Sequence, residues 1–127
     1  MAEQIAKFRF KGYKIIESQI VINPEEEISQ NLNLKFERTI GVNEEGRDMR
    51  LDMVIKINDD NNALNISVRA HGFFEFDLDL NQEEKDIFFN TSAPAILFPY
   101  VRAYITTLSS LSGIKPVILP TLNMSQR

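Results

Sequence analysis

From Lys7 the chain alternates, with Phe8 and Phe10 on one side and Lys7, Arg9 and Lys11 on the other. A period of two is the signature of a β-strand with one wet face. After Gly12 the phase slips by one, so that Tyr13 and Ile15 carry the apolar side at odd positions. A one-residue slip at a glycine predicts a β-bulge. Ile20 and Ile22 sit at even positions before Asn23-Pro24 and the glutamate run 25–27, which end the strand. Leu32, Leu34, Phe36 and Ile40 then alternate with Asn33, Lys35, Glu37 and Thr39. Turn residues over 41–48 lead to Leu51, Met53, Ile55 and Ile57, and the polar run 58–62 leads to a third alternation. That last series keeps even phase from Leu64 through Phe74 and Phe76 to Leu78 and Leu80, opposite Asn65, Ser67, Arg69, His71, Glu75, Asp77 and Asp79. Strands joined by short turns, each with one apolar face, predict an antiparallel meander.

The period then changes. Asn81 with Glu84 three residues on has capping-box spacing and predicts a short helix carrying Ile87, Phe88 and Phe89. Asn90-Thr91-Ser92 interrupts it, and Ser92 is the expected N-cap of a longer helix with Pro94 in its first turn. That helix, 93–113, has one charge, Arg102, and an excess of apolar residues. Leu97, Val101, Tyr104, Leu108 and Leu111 form one stripe, and Ile96, Tyr100 and Ala103 a second. A helix apolar on several sides must be covered on several sides. One face is expected to seal the chain's own sheet, and another to meet a second copy through Tyr100, Val101, Tyr104, Ile105 and Leu108. Pro99 predicts a kink, or a helix that becomes regular only after it. Gly113 ends the helix, and Pro116 and Pro120 keep the tail extended. The fold class is α+β: a four-stranded antiparallel sheet with one long helix packed on one face.

Composition narrows the function classes. The 127 residues fit a single domain, 1–127, able to bury an ordinary core. There is no cysteine, which removes disulfides, thiolate metal sites and cysteine nucleophiles. A net charge of −4 argues against the basic footprint of a nucleic-acid binder. No uninterrupted apolar run reaches the ~18–20 residues of a membrane span, and the first residues have no signal-peptide core, so a cytoplasmic protein without membrane insertion is expected.

Candidate chemistry is sparse. His71 is the sole histidine and lies on the wet face of the last strand, where a solvated histidine is the ordinary case. Glu75, Asp77 and Asp79 share that face as an acidic stripe. No phosphate loop, dinucleotide fingerprint or metal-ligand spacing occurs, so neither catalysis nor a cofactor is expected. An enzyme using His71 with Glu75 or Asp77 would need an enclosed pocket reaching them. The remaining oddity is apolar side chains without an evident core position: Phe73 on the wet face, adjacent Phe88 and Phe89, the run 20–22, and Leu119 and Leu122 in the tail. Such surface marks either an interaction site or a subunit interface.

Pro94, Ile96, Leu97, Phe98, Pro99, Tyr100 and Arg102 open the long helix as Pro-x-Ile-Leu-Phe-Pro-Tyr-x-Arg, and Gly113, Pro116, Leu119, Pro120 and Asn123 follow it. Upstream, VRAHGFFEF over 68–76 places Gly72 before an aromatic pair. This arrangement, extending with its strands over about 7–123, resembles the SecB protein-export chaperones. The resemblance implies a sheet-and-helix subunit assembling as a homodimer or a dimer-of-dimers tetramer. It further implies an ATP-independent holdase that binds unfolded preproteins, or antitoxins in the case of shorter relatives, in apolar grooves. Ile20, Ile22, Phe73, Phe74, Phe88, Phe89, Leu119 and Leu122 are the corresponding polypeptide-binding candidates. Two departures weaken the implied partnership with the SecA motor. The chain ends at Arg127, short of the further helix and tail of longer members, and the expected acidic position in the last strand is Ser67. The alternative of another class is an oligomeric interaction protein whose apolar surface is all subunit interface.

Overall fold

A computed structural model describes residues 7–121. Four strands, β1 (Phe8–Ile22), β2 (Leu32–Asn43), β3 (Asp48–Asp59) and β4 (Leu64–Phe76), form one antiparallel sheet in the order β1-β4-β3-β2. The two hairpins are local: β2 pairs with β3, and β3 with β4. Strand β1 instead pairs with β4, so β1 and β2 lie on opposite edges and the connection 23–31 crosses the end of the sheet. This crossover is the one long-range step in the topology.

The alternation sorts the sheet into two faces. Met49, Leu51, Met53, Ile55 and Ile57 of β3 and Leu64, Ile66, Val68, Ala70, Phe74 and Phe76 of β4 are buried on the inner face. Strand β1 keeps its apolar residues inward through two bulges, one between Phe10 and Gly12 and one between Ile15 and Glu17. The first is the slip anticipated at Gly12, whose φ of 124° no ordinary side chain tolerates. The second inserts Ile16 and restores the even phase of Ile20 and Ile22, which face Ile66 and Leu64. The β4 alternation stops earlier than its sequence pattern: the strand ends at Phe76, and Leu78 is 66 % exposed in a turn closed by Leu80 N–H to the Asp77 carbonyl.

Asn81 caps helix α1 (Gln82–Ile87) with the reciprocal box to Glu84. The interruption expected at 90–92 is absent. Phe88–Ser92 form a π-helical turn that runs directly into α2 (Ala93–Leu111). Ser92 has helical φ −70° and ψ −45° and makes no capping bond, which corrects the N-cap expectation. Proline supplies the reason. Pro94 has no N–H and its ring crowds the carbonyl four residues back, and the wider π-turn, with Ala93 N–H bonded to the Phe88 carbonyl, makes room for it. Pro99 lies on the exposed side within α2, which is α-helical both before and after it. Gly113 ends the helix at φ 88°.

Helix α2 seals the inner face with Ala93, Leu97, Val101 and Ile105, each 0 % exposed. Burying each of the three larger chains is worth roughly 1.5–3 kcal/mol. Gly72 allows the approach, since a Cβ there would stand 3.1 Å from the Leu97 side chain. Val101 and Ile105 are therefore core residues of their own subunit, not the interface residues anticipated. The excess apolar surface also has a partial answer within the chain. After Gly113 the tail folds back along one flank of α2 and buries Val117 and Leu119, each 4 % exposed. The other flank keeps Tyr100 at 43 % and Leu111 at 83 % exposed, with Tyr104 and Leu108 half-buried. Among the described residues no helix is long and apolar enough to cross a membrane.

Candidate functional site

Where the crossover meets the tail, they enclose a groove of about 660 Å³. Ile28 and Leu32 come from the crossover side, Leu64 from the start of β4, and Ile114, Val117 and Ile118 from the tail. Glu26, Glu27 and Lys115 line its rim. Ile118 is 71 % exposed, so the groove presents apolar surface to solvent.

Neither wall is regular secondary structure, and each is held by polar side chains of the scaffold. Asp59 ends β3 and is 2 % exposed. Its Oδ1 accepts the backbone N–H groups of Ala63 at 2.7 Å and Leu64 at 3.0 Å, which closes the β3–β4 turn. Its Oδ2 accepts Ser29 N–H at 2.8 Å, which fixes the crossover. Asn23 N–H to the Ala63 carbonyl and Asn61 Nδ2 to the Glu27 carbonyl, each 2.8 Å, complete the attachment. Burial pushes the Asp59 carboxyl up, but the N–H donors of Ser29, Leu64 and Ala63 outweigh it, and its pKa lies below the ordinary aspartate value.

The tail wall hangs from one flank of α2. Arg102 Nε donates to the Leu119 carbonyl at 2.7 Å, and Thr106 Oγ1 to the Val117 carbonyl at 2.8 Å. Ser109, 0 % exposed, accepts Val117 N–H at 2.8 Å while its own hydroxyl faces the Ile105 and Thr106 carbonyls at 3.0 Å. These three residues stand four and three apart, which is the spacing of one helix flank. An extended strap has no partners of its own, so its buried polar groups need these.

The anticipated polypeptide-binding residues do not converge on one surface. Phe74 at 1 %, Phe89 at 8 % and Leu119 at 4 % exposure are core, which corrects their assignment. Each was apolar at a position whose cover could come only from distant chain. Ile20 and Ile22 are partly buried against the core, and Phe88 stacks on Phe8 at 5.1 Å. Phe73 is half-buried on the outer face of the sheet, and Leu122 lies outside the described residues. The groove residues Ile28, Ile114 and Ile118 were not anticipated. The apolar run 117–119 between two prolines was their clearest signal.

The residues considered for chemistry are engaged elsewhere. Arg9 donates to Glu75 at 3.1 Å and to Asp77 at 2.9 Å, and these hydrogen bonds, first the one to Asp77 and then the one to Glu75, raise its pKa further. Lys7 stands 3.8 Å from Asp79. The acidic stripe thus fastens the start of β1 to the end of β4. His71 packs edge-on against Phe73, with Nε2 3.8 Å from Asp52, on the open outer sheet.

A SecB family profile, described as preprotein translocase subunit SecB, matches residues 13–126. The chain is 31 % identical over 124 residues to an uncharacterized protein of Methanocaldococcus jannaschii, covering 92 % of this chain and 79 % of that one. It is 29 % identical over 96 residues to the protein-export protein SecB of Saccharophagus degradans, covering 76 % of this chain and 56 % of that relative's length. In fold it resembles the SecB-like chaperone of Mycobacterium tuberculosis, solved with a ChAD peptide from the HigA1 antitoxin. That likeness has a TM-score of 0.76 at 15 % identity and covers 91 % of this chain and 88 % of the other. With the profile spanning nearly the whole chain and the four strands and long helix in place, the chain belongs to the SecB family.

Proposed function

We propose that this protein is an ATP-independent holdase that shelters apolar segments of non-native polypeptides in the groove between crossover and tail. The observation that carries the reading is that groove: open, about 660 Å³, and floored by aliphatic side chains in a chain of the SecB family. A volume of that order accommodates a few side chains of an extended segment. Apolar contact is non-directional, so such a groove tolerates many sequences, as a general chaperone requires. Within the same reading, the open flank of α2 with Tyr100, Tyr104, Leu108 and Leu111 joins copies of the chain into an oligomer.

Light scattering of a denatured client diluted into buffer tests the reading. Several-fold excess of the protein is expected to suppress aggregation, and Ile118→Lys to lose most of that suppression while keeping the fold. No suppression, or full suppression by the variant, would remove the groove from the function. Sedimentation of the protein alone, with Leu108→Glu beside it, reads the oligomer: the variant is expected to have lower mass, and unchanged mass would clear that flank. The fold likeness to an antitoxin-bound chaperone favours one second reading, a dedicated antitoxin client in the same groove. It is upheld if suppression extends to an antitoxin and to no unrelated client.

A further inference from the structure

The outer face of the sheet carries a feature that neither the groove nor the helix flank uses. One row of cross-strand neighbours runs Gly12, Phe73, Arg50, Gly41 from edge to edge. All four lie on the face away from α2, since their strand neighbours Met49 and Phe74 are in the core. Both ends of the row are glycines, and a Cβ at either would meet no atom within 4 Å. The outcome is a shallow trough of about 570 Å³ with Phe73 and Arg50 at its centre. The β1 bulge adds Lys11 to its lining. A bulge sets two residues against one partner, so Lys11 joins Gly12 opposite Phe73 without lengthening the row.

The electrostatics of this place run against those of the chain. The protein has a net charge of −4, yet Lys11 and Arg50 both line the trough, and among the described residues neither has a hydrogen-bond or ion-pair partner. Two of the carboxylates nearby are occupied. Glu75 is held by Arg9, and Asp52 lies between Arg69 and His71 at 3.8 Å from each. Asp48 also lines the trough, at its β2–β3 end, with one carboxylate oxygen 2.7 Å from where a Cβ of Gly46 would stand, which leaves Lys11 and Arg50 in excess by one charge. An unpaired guanidinium beside a half-exposed phenylalanine is a surface with one strong preference. It takes a carboxylate in bidentate geometry and an apolar side chain on the ring.

We propose that this trough docks an acidic segment of a partner polypeptide, its carboxylates on Arg50 and Lys11 and an apolar side chain over Phe73. The trough is open along the sheet and crosses all four strands, which suits an extended peptide better than an enclosed small molecule. It lies on the opposite side of the sheet from α2, so an assembly made through the helix leaves it accessible. The proposal stands independently of the groove.

Amide shift mapping on the full chain tests it. The probe is a short peptide with one phenylalanine between runs of glutamate, and the control has lysine in place of glutamate. The acidic peptide is expected to shift the amides of Gly12, Gly41, Arg50 and Phe73 and to weaken with salt. The lysine control and Arg50→Glu are each expected to bind at least about tenfold more weakly. Arg50 is exposed, so its substitution spares the core, and Lys11→Glu repeats the test on another strand. Equal binding of the lysine peptide, shifts confined to Ile28, Ile114 and Ile118, or unchanged affinity in both variants would overturn the proposal.

Discussion

The two walls of the groove solve one problem by different means. Both are irregular backbone, and both are tied to the scaffold by a buried polar side chain at the end of a regular element. On the crossover side that group is charged: the Asp59 carboxylate gathers Ser29, Ala63 and Leu64 at one point. On the tail side it is neutral: the Ser109 hydroxyl takes Val117 N–H, with Thr106 and Arg102 spreading the attachment along the flank. A charged hub concentrates strength and makes the hold on Ser29 sensitive to one ionisation, beside the neutral bonds of Asn23 and Asn61. A row of neutral and permanently charged groups distributes it and is indifferent to mild acid.

The sharpest way to break the comparison is at the hub. Asp59→Ala removes the acceptor of three N–H groups at once, two of them buried, and its stability loss is expected to exceed that of any single change in the tail row. Asp59→Asn separates the two jobs. The amide oxygen still serves Ala63 and Leu64, but the amide nitrogen cannot accept from Ser29, so the turn should hold while the crossover loosens. Hydrogen exchange reads this directly: Ser29 loses protection in the Asn variant and Leu64 keeps it. Parallel loss at both sites would mean that the crossover and the turn are not separable.

Why the walls escape sequence reading follows from the same bonds. Period-two runs such as Leu32 to Ile40 and Leu64 to Phe76 reveal strands because each alternate residue meets water, and the Asn81/Glu84 box is local. The order β1-β4-β3-β2 is set by pairing across more than forty residues, which periodicity does not encode. Asp59 sits in a polar run that reads as a turn, and half its work is done on Ser29, 30 residues away. Val101 and Ile105 share a helix with Tyr104 and Leu108, and an apolar pattern on several sides does not say which side the chain covers itself. Nothing local to Ser109 signals its role, since the N–H it accepts comes from Val117 beyond the end of the helix.

The tail row should fail more gently. Ser109→Ala leaves Val117 N–H buried without its acceptor, at a cost of about 1–3 kcal/mol. Thr106 and Arg102 still hold the Val117 and Leu119 carbonyls, so the strap is expected to loosen around residue 117 without leaving the helix. Calorimetry with exchange at Val117 and Ile118 checks this. Complete release of the tail would show that the row is a hub after all.

Acid sharpens the contrast with the smallest perturbation. The folded Asp59 carboxyl lies below its ordinary value, so the unfolded chain binds the proton more readily. Its contribution to stability is therefore fully present above the ordinary aspartate value of about 3.9, fades as the pH falls below it, and is gone beneath the folded value. Protonation weakens the acceptor for Ser29, Leu64 and Ala63 together, whereas nothing in the Ser109, Thr106 and Arg102 row titrates in that range. The amides of Ser29 and Ala63 should move along one titration with a midpoint below about 3.9, and the amide of Val117 should not follow. A Ser29 midpoint at or above the ordinary value would mean that desolvation wins over the three donors. A Val117 amide moving with the same midpoint would mean that the two walls are coupled through the groove between them.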